Sequence, residues 1–231
     1  MNKIVELTGL TNEQFFTRHA APGCVALAGG TALIDRVICR AQRHVDENEN
    51  WSCWSHAFLI QGPRVDGHIW VVESDLDIQR KHIRLGVQEN RITKYFNEQL
   101  YSTVAILDFG LTPEQVTAVL SEGLNLVADR TQYSIRELLG ALVAMKHRHL
   151  RGKSNLLSRD KSLFCSAMVH HLFRIAGIDL VPDLEVKHTA PEDLFRSTLP
   201  HTTYLLKRAV ATSRFKQIRE KIDAHLGELS E

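Results

Sequence analysis

Residues 54 to 73 read Trp54-Ser55-His56-Ala57-Phe58-Leu59-Ile60-Gln61-Gly62-Pro63-Arg64-Val65-Asp66-Gly67-His68-Ile69-Trp70-Val71-Val72-Glu73. Ser55 to Ile60 has the composition of a strand, Gly62 to Gly67 that of a turn, and His68 to Glu73 that of the returning strand. His56 lies in an otherwise apolar strand beside Trp51, Trp54 and Phe58. A buried imidazole needs partners for both ring nitrogens, and a thiol on one side with a polar orienting group on the other would satisfy them. Glu73 is the candidate orienter. In a regular strand it shares a face with Ile69 and Val71, whereas His68 points to the opposite face.

Working outward, Thr11 and Gln14 form a capping-box pattern that opens a short helix over Glu13 to His19. Cys24 to Ala28 is a small apolar run bounded by glycine, which suits a buried strand, and residues 31 to 44 show helical spacing before a polar loop at Asp46 to Asn50. Beyond the hairpin, Ile83 to Val87 and Ser102 to Asp108 are further strand candidates. Thr112-Pro113-Glu114-Gln115 predicts a helix over 113 to 129, and Ser134 with Glu137 opens another running to about His149. The polar, basic residues 151 to 162 read as a loop. Ser162 then caps a helix carrying Leu163, Phe164, Ala167, Met168, Leu172 and Ile175, closed by Gly177, which puts Cys165 at its third position. Pro191 to Phe195 starts a short helix, Thr202 to Leu206 reads as a last strand, and about 207 to 226 as an amphipathic basic helix. With no repeat, low-complexity tract or long linker, residues 1–231 are expected to form one α+β domain.

Composition narrows the function. The 231 residues are 44% hydrophobic and 24% charged, an ordinary globular balance. Lys plus Arg is 28 against 27 Asp plus Glu, without the basic excess of a dedicated nucleic-acid binder. No apolar run approaches the roughly 18 residues of a spanning helix, and the amino-terminal residues lack the pattern of a secretory signal. A cytoplasmic location is the expectation. The four cysteines, Cys24, Cys39, Cys53 and Cys165, include no C-x-x-C pair and are expected to be thiols. Cys24 and Cys39 read as small core residues. Near the start of its helix, Cys165 would meet unpaired N–H groups and the positive end of the dipole, both of which favour a thiolate.

Five segments, in order, resemble a known family. Pro22-Gly23-Cys24-Val25-Ala26-Leu27, Trp54-Ser55-His56-Ala57, Val71-Val72-Glu73-Ser74, Phe164-Cys165-Ser166-Ala167-Met168-Val169 and Ala190-Pro191-Glu192-Asp193-Leu194 are similar to motifs of circularly permuted papain-like enzymes of the NlpC type, especially the YiiX/YaeF-like amidases. Cys24 stands where those proteins usually have aspartate, and Ala167-Met168 where they have Glu-Leu. The resemblance implies an antiparallel sheet packed against helices, with Cys165 as nucleophile, His56 as base and Glu73 as its orienter. It also places Tyr133 ahead of the cysteine helix, and Tyr133 and Trp54 are the candidate substrate-binding residues. A cysteine hydrolase of amides or peptides follows, working through a thioester with no metal or organic cofactor.

Other readings compete. Cys53-x-x-His56 has zinc-ligand spacing, and His147, His149, His170 and His171 add donors. A lipid acyltransferase or thioesterase of the lecithin-retinol acyltransferase type would use His68 in place of Glu73, with the basic C-terminal helix on an anionic surface as a peripheral membrane contact. A non-catalytic binding module would instead use the basic stretch Lys146 to Lys161 to hold an acidic partner. The expected partner of the favoured reading is a peptide-like or acyl substrate rather than a nucleic acid.

Overall fold

A computed structural model describes residues 2–42, 45, 50–79, 82–129, 164–206 and 208. The predicted helix over 134–149, Tyr133, the basic stretch 146–161, His147, His149, Ser162 and almost all of the predicted helix over 207–226 lie outside the described residues.

Seven strands form one sheet in the order β1-β7-β6-β2-β3-β4-β5: β1 (Lys3–Leu7), β2 (Val25–Gly30), β3 (His56–Pro63), β4 (Ile69–Gln79), β5 (His82–Arg91), β6 (Tyr101–Asp108) and β7 (Thr202–Leu206). The sheet is antiparallel except at its edge, where β1 runs parallel to β7. That pair corrects the expectation of a wholly antiparallel sheet. Its strand β1 was not assigned from sequence, because Lys3 to Leu7 is mostly exposed and carries little apolar alternation. The fold class is α+β. The helices are α1 (Asn12–His19), α2 (Leu33–Ala41), α3 (Pro113–Ala128), α4 (Cys165–Ile175) and α5 (Pro191–Phe195). None among the described residues is long and apolar enough to cross a membrane.

Strand alternation divides the core in two. Val25, Leu27, Ala57, Leu59, Val72, Ala105 and Leu107 face Val119 of α3 and Met168, Val169, Leu172 and Phe173 of α4. Their neighbours Ala26, Ala28, Phe58, Ile60, Val71, Val104 and Ile106 face Phe15 and Phe16 of α1 and Tyr95. This is the period-two pattern of strands covered on both sides. The Thr11 and Gln14 capping box and the Thr112 and Gln115 one both form, so those helices start where local chemistry predicts.

Two features position the site. Gly29 of β2 leaves room for the chain leading into β3: a Cβ there would lie 2.2 Å from the Cys53 carbonyl oxygen. Helix α4 begins at Cys165, with Phe164 as N-cap and no side-chain cap. Cys165 is therefore the first helical residue, not the third. The first bond of this helix runs from the Met168 N–H to the Phe164 carbonyl, so the three preceding N–H groups have no intrahelical acceptor.

Candidate active site

His56 is the first residue of β3, and Glu73 lies on the neighbouring strand β4 on the Val71 face. His56 Nε2 is 2.8 Å from Glu73 Oε2. The Cys165 side chain is the other partner of this imidazole, acting on it by charge and hydrogen bonding. The expected pairing of His56 with Glu73 rather than His68 is what the geometry has. The His68 backbone N–H instead donates to Asp66 in the turn, 3.1 Å away.

Glu73 is fully buried, and a buried carboxylate must be compensated. Its Oε2 accepts from His56 and from the Tyr95 hydroxyl, and its Oε1 from Asn90 Nδ2 at 2.6 Å and Lys94 Nζ at 3.0 Å. Burial alone would raise its pKa. The His56 hydrogen bond, the Lys94 and His56 charges and the Tyr95 hydroxyl reverse that and hold it far below the usual carboxylate range. Lys94 also pairs with Asp75. Burial pulls the ammonium pKa down, but the two carboxylates more than restore it, so Lys94 is charged. The Tyr95 ring stacks on Phe58, with centroids 4.2 Å apart, and lies nearly parallel to the His56 ring at 6.1 Å. Burial and the Glu73 charge keep its phenol protonated, so it can only donate to the carboxylate.

The thiol and imidazole shift in opposite directions. Burial disfavours the His56 cation, but the Cys165 charge and hydrogen bond, reinforced by Glu73, hold its pKa well above the ordinary value. Burial likewise disfavours the Cys165 thiolate, and the His56 charge and hydrogen bond, with the Ala57 and Ser166 backbone N–H groups, bring its pKa below the ordinary thiol value. The pair favours thiolate and imidazolium. His56 keeps 13% of its side-chain surface exposed, and Cys165 is half-buried. By contrast, burial and the Asp108 charge push the buried Cys24 thiol up to about 12, and burial holds the Cys39 thiol well above its ordinary value.

Trp54 does not face a substrate site. It is fully buried, its ring 5.2 Å from that of Phe195, within the core under α3 and α4. Trp54 precedes β3 and packs with Ala57 and Leu59 on the side of the sheet that α3 and α4 cover. Of the zinc donors, the three described histidines have other partners: His56 as above, His170 with Thr189 Oγ1 and Asp179 Oδ1 at 2.7 Å each, and His171 with Glu122 at 3.2 Å. Among the described residues no three His, Cys, Asp or Glu side chains group as a metal site.

Sequence reading missed Asn90, Lys94 and Tyr95. The last two sit on a 3₁₀ turn, Ile92–Phe96, too short to produce a periodic signal. It also missed a brace around the approach to His56. Glu192 accepts from Ser52 Oγ at 2.6 Å and Arg196 Nε at 2.7 Å, its N–H donates to Gln42 Oε1, and Gln42 Nε2 donates to the Trp54 carbonyl at 2.8 Å. The Ala190-Pro191-Glu192-Asp193-Leu194 segment thus has a structural purpose.

No protein-family model matches the chain, and no curated protein matches it. Among solved structures, the chain is similar to metalloprotein yiiX from Escherichia coli O157:H7, with a TM-score of 0.51 at 12% identity, covering 79% of this chain and 94% of that one. The fold is yiiX-like.

Proposed function

We propose that the protein is a cysteine hydrolase on a circularly permuted papain-like (NlpC-type) scaffold, cleaving a peptide-like amide or a related ester. The observation that carries this reading is one imidazole held between a buried carboxylate and a thiol at the start of a helix. The Cys165 thiolate attacks the substrate carbonyl carbon, and the oxygen gains the charge. N–H groups of the first turn of α4, that of Cys165 among them, are suited to stabilise that oxyanion. As the carbon–nitrogen or carbon–oxygen bond breaks, imidazolium His56 gives its proton to the leaving group, and a thioester remains on Cys165. Water then attacks the thioester while His56 takes its proton. Collapse releases the carboxylic acid and regenerates thiolate and imidazolium. Glu73 gains no proton in this cycle. It keeps the ring oriented and favours its cationic form, as a carboxylate does behind a catalytic histidine.

The test is an acyl activity-based probe read by intact mass, followed by a screen of amides and esters on wild type and Cys165→Ala. A covalent adduct on Cys165 and turnover lost in Cys165→Ala support the reading. No adduct on Cys165 and no turnover overturn it.

A further inference from the structure

Two cations sit on opposite oxygens of one buried carboxylate: His56 on Glu73 Oε2 at 2.8 Å, and Lys94 on Oε1 at 3.0 Å. The lysine is also shared, because its ammonium bonds Asp75 as well. A charge separated from a catalytic ring by a single carboxylate, with a competing partner of its own, is placed to tune that ring rather than to touch substrate.

We propose that Lys94 is a positioning residue that, through the carboxylate it shares with His56, sets the upper pH limit of the His56 and Cys165 ion pair. This rests on the cysteine-hydrolase reading. The groups that face this centre come from every element around it: Cys165 from α4, His56 from β3, Glu73 and Asp75 from β4, Asn90 from β5, Lys94 and Tyr95 from the 3₁₀ turn, and Tyr101 of β6, whose ring centroid is 4.7 Å from that of Tyr95. Asn90 is neutral, and burial keeps the phenols of Tyr95 and Tyr101 protonated. The charges that matter are therefore those of Cys165, His56, Glu73, Asp75 and Lys94. With the pair ionised, Lys94 and His56 are opposed by three anions, so the centre already carries an excess of negative charge. Lys94 limits how strongly that excess holds the His56 proton.

The direction of each perturbation follows. Removing the Lys94 charge makes the surroundings of His56 more negative, so the ring keeps its proton to higher pH. Removing the Asp75 charge makes them less negative and frees Lys94 for Glu73 alone, so the ring loses its proton at lower pH. A residue that only supported the fold would not produce shifts of opposite sign.

The experiment is the rate of iodoacetamide alkylation of Cys165 in the full-length protein across the pH range, followed by mass spectrometry. Wild type is expected to show two steps, the lower marking formation of the ion pair and the upper marking loss of the His56 proton. Lys94→Met is expected to move the upper step up by about one unit, Asp75→Asn to move it down, and Lys94→Arg to leave it at the wild-type position. If Lys94→Met does not fold, Asp75→Asn decides: a downward shift supports the proposal and an unmoved step overturns it. A two-step wild-type profile whose upper step ignores both charge-removing variants overturns the role of Lys94 alone. A single wild-type step at the pH of an ordinary thiol overturns the cysteine-hydrolase reading itself.

Discussion

The Glu73 carboxylate is fully buried, with its Oε2 2.8 Å from Nε2 of His56, so the group that orients the imidazole has no contact with water. Its stability therefore depends wholly on its four donors. Because its folded pKa is depressed, its stabilisation is present in full above the unfolded value of about 4.3 and is lost as the pH falls through the folded value. Glu73→Gln is expected to cost about 3 kcal/mol near pH 7, and this difference should shrink below about pH 4, where the unfolded wild-type carboxyl also binds its proton. Urea unfolding of both proteins at several pH values checks this. A penalty independent of pH would contradict it.

Cys165 is expected to be the thiol alkylated by iodoacetamide at pH 6.5. Cys24 and Cys39 are buried, and their thiols are held protonated. Cys53 is the informative control. Burial and then the Glu192 charge push its pKa up, and because that residue is exposed the carboxylate is the cause to weigh. His56→Ala is expected to slow labelling of Cys165 by roughly tenfold to a hundredfold, the upper figure being the thiolate fraction lost when a thiol near 8.5 is left at pH 6.5. Peptide mapping of the labelled sites gives the result. Equal labelling of Cys53 and Cys165 would count against a poised thiolate.

The order of His56, Glu73 and Cys165 was legible because each of the three leaves a local mark. His56 interrupts an apolar strand, Glu73 ends one, and Cys165 opens a helix carrying apolar residues at helical spacing. The alternation that places Glu73 with Val71 follows from strand geometry alone, and the structure keeps it. The position of Cys165 within its helix was less legible. Ser162 offers a capping side chain in the sequence, yet the helix begins at Cys165 with Phe164 as its N-cap and no side-chain cap bond. Lys94 and Tyr95 left no mark, since a single 3₁₀ turn has no period and their partners lie 19 to 22 residues away in the chain. The parallel edge pair of β1 with β7 joins residues from opposite ends of the sequence, and nothing local encodes it.

Gly29→Ala is expected to be strongly disruptive for its size. The added Cβ would lie 2.2 Å from the Cys53 carbonyl oxygen, and backbone cannot yield as a flexible side chain does. The neighbouring Ser55 N–H donates to the Ala28 carbonyl at 3.0 Å, so the same displacement strains the entry to β3. A loss of about 2 kcal/mol, measured by urea unfolding, is expected together with slower labelling of Cys165.

Tyr95→Phe separates the ring from its hydroxyl. The stack on Phe58 and the approach to His56 survive, but Glu73 Oε2 loses one donor. A hydrogen bond to a charged group is worth about 2 kcal/mol, and that is the expected loss of stability. The His56 proton should then be held slightly more tightly, since the carboxylate charge is less shared, so the upper step of the alkylation profile should move up.

The Glu192 brace acts on the chain just before His56. Its carboxylate holds Ser52, and through Gln42 the same segment holds the Trp54 carbonyl. Glu192→Ala would leave Ser52 and Arg196 without that acceptor, at a cost of about 2 kcal/mol. A fall in stability alone would not distinguish a brace from any other core contact. Val119→Ala supplies the comparison, because Val119 is fully buried on α3 in the core beneath α4, and removing its methyls costs about as much. If the brace fixes His56 against Cys165, Glu192→Ala should slow alkylation of Cys165 at pH 6.5 several-fold, while Val119→Ala of matched stability leaves the rate unchanged. Equal rates in the two variants would reduce Glu192 to a contributor to stability.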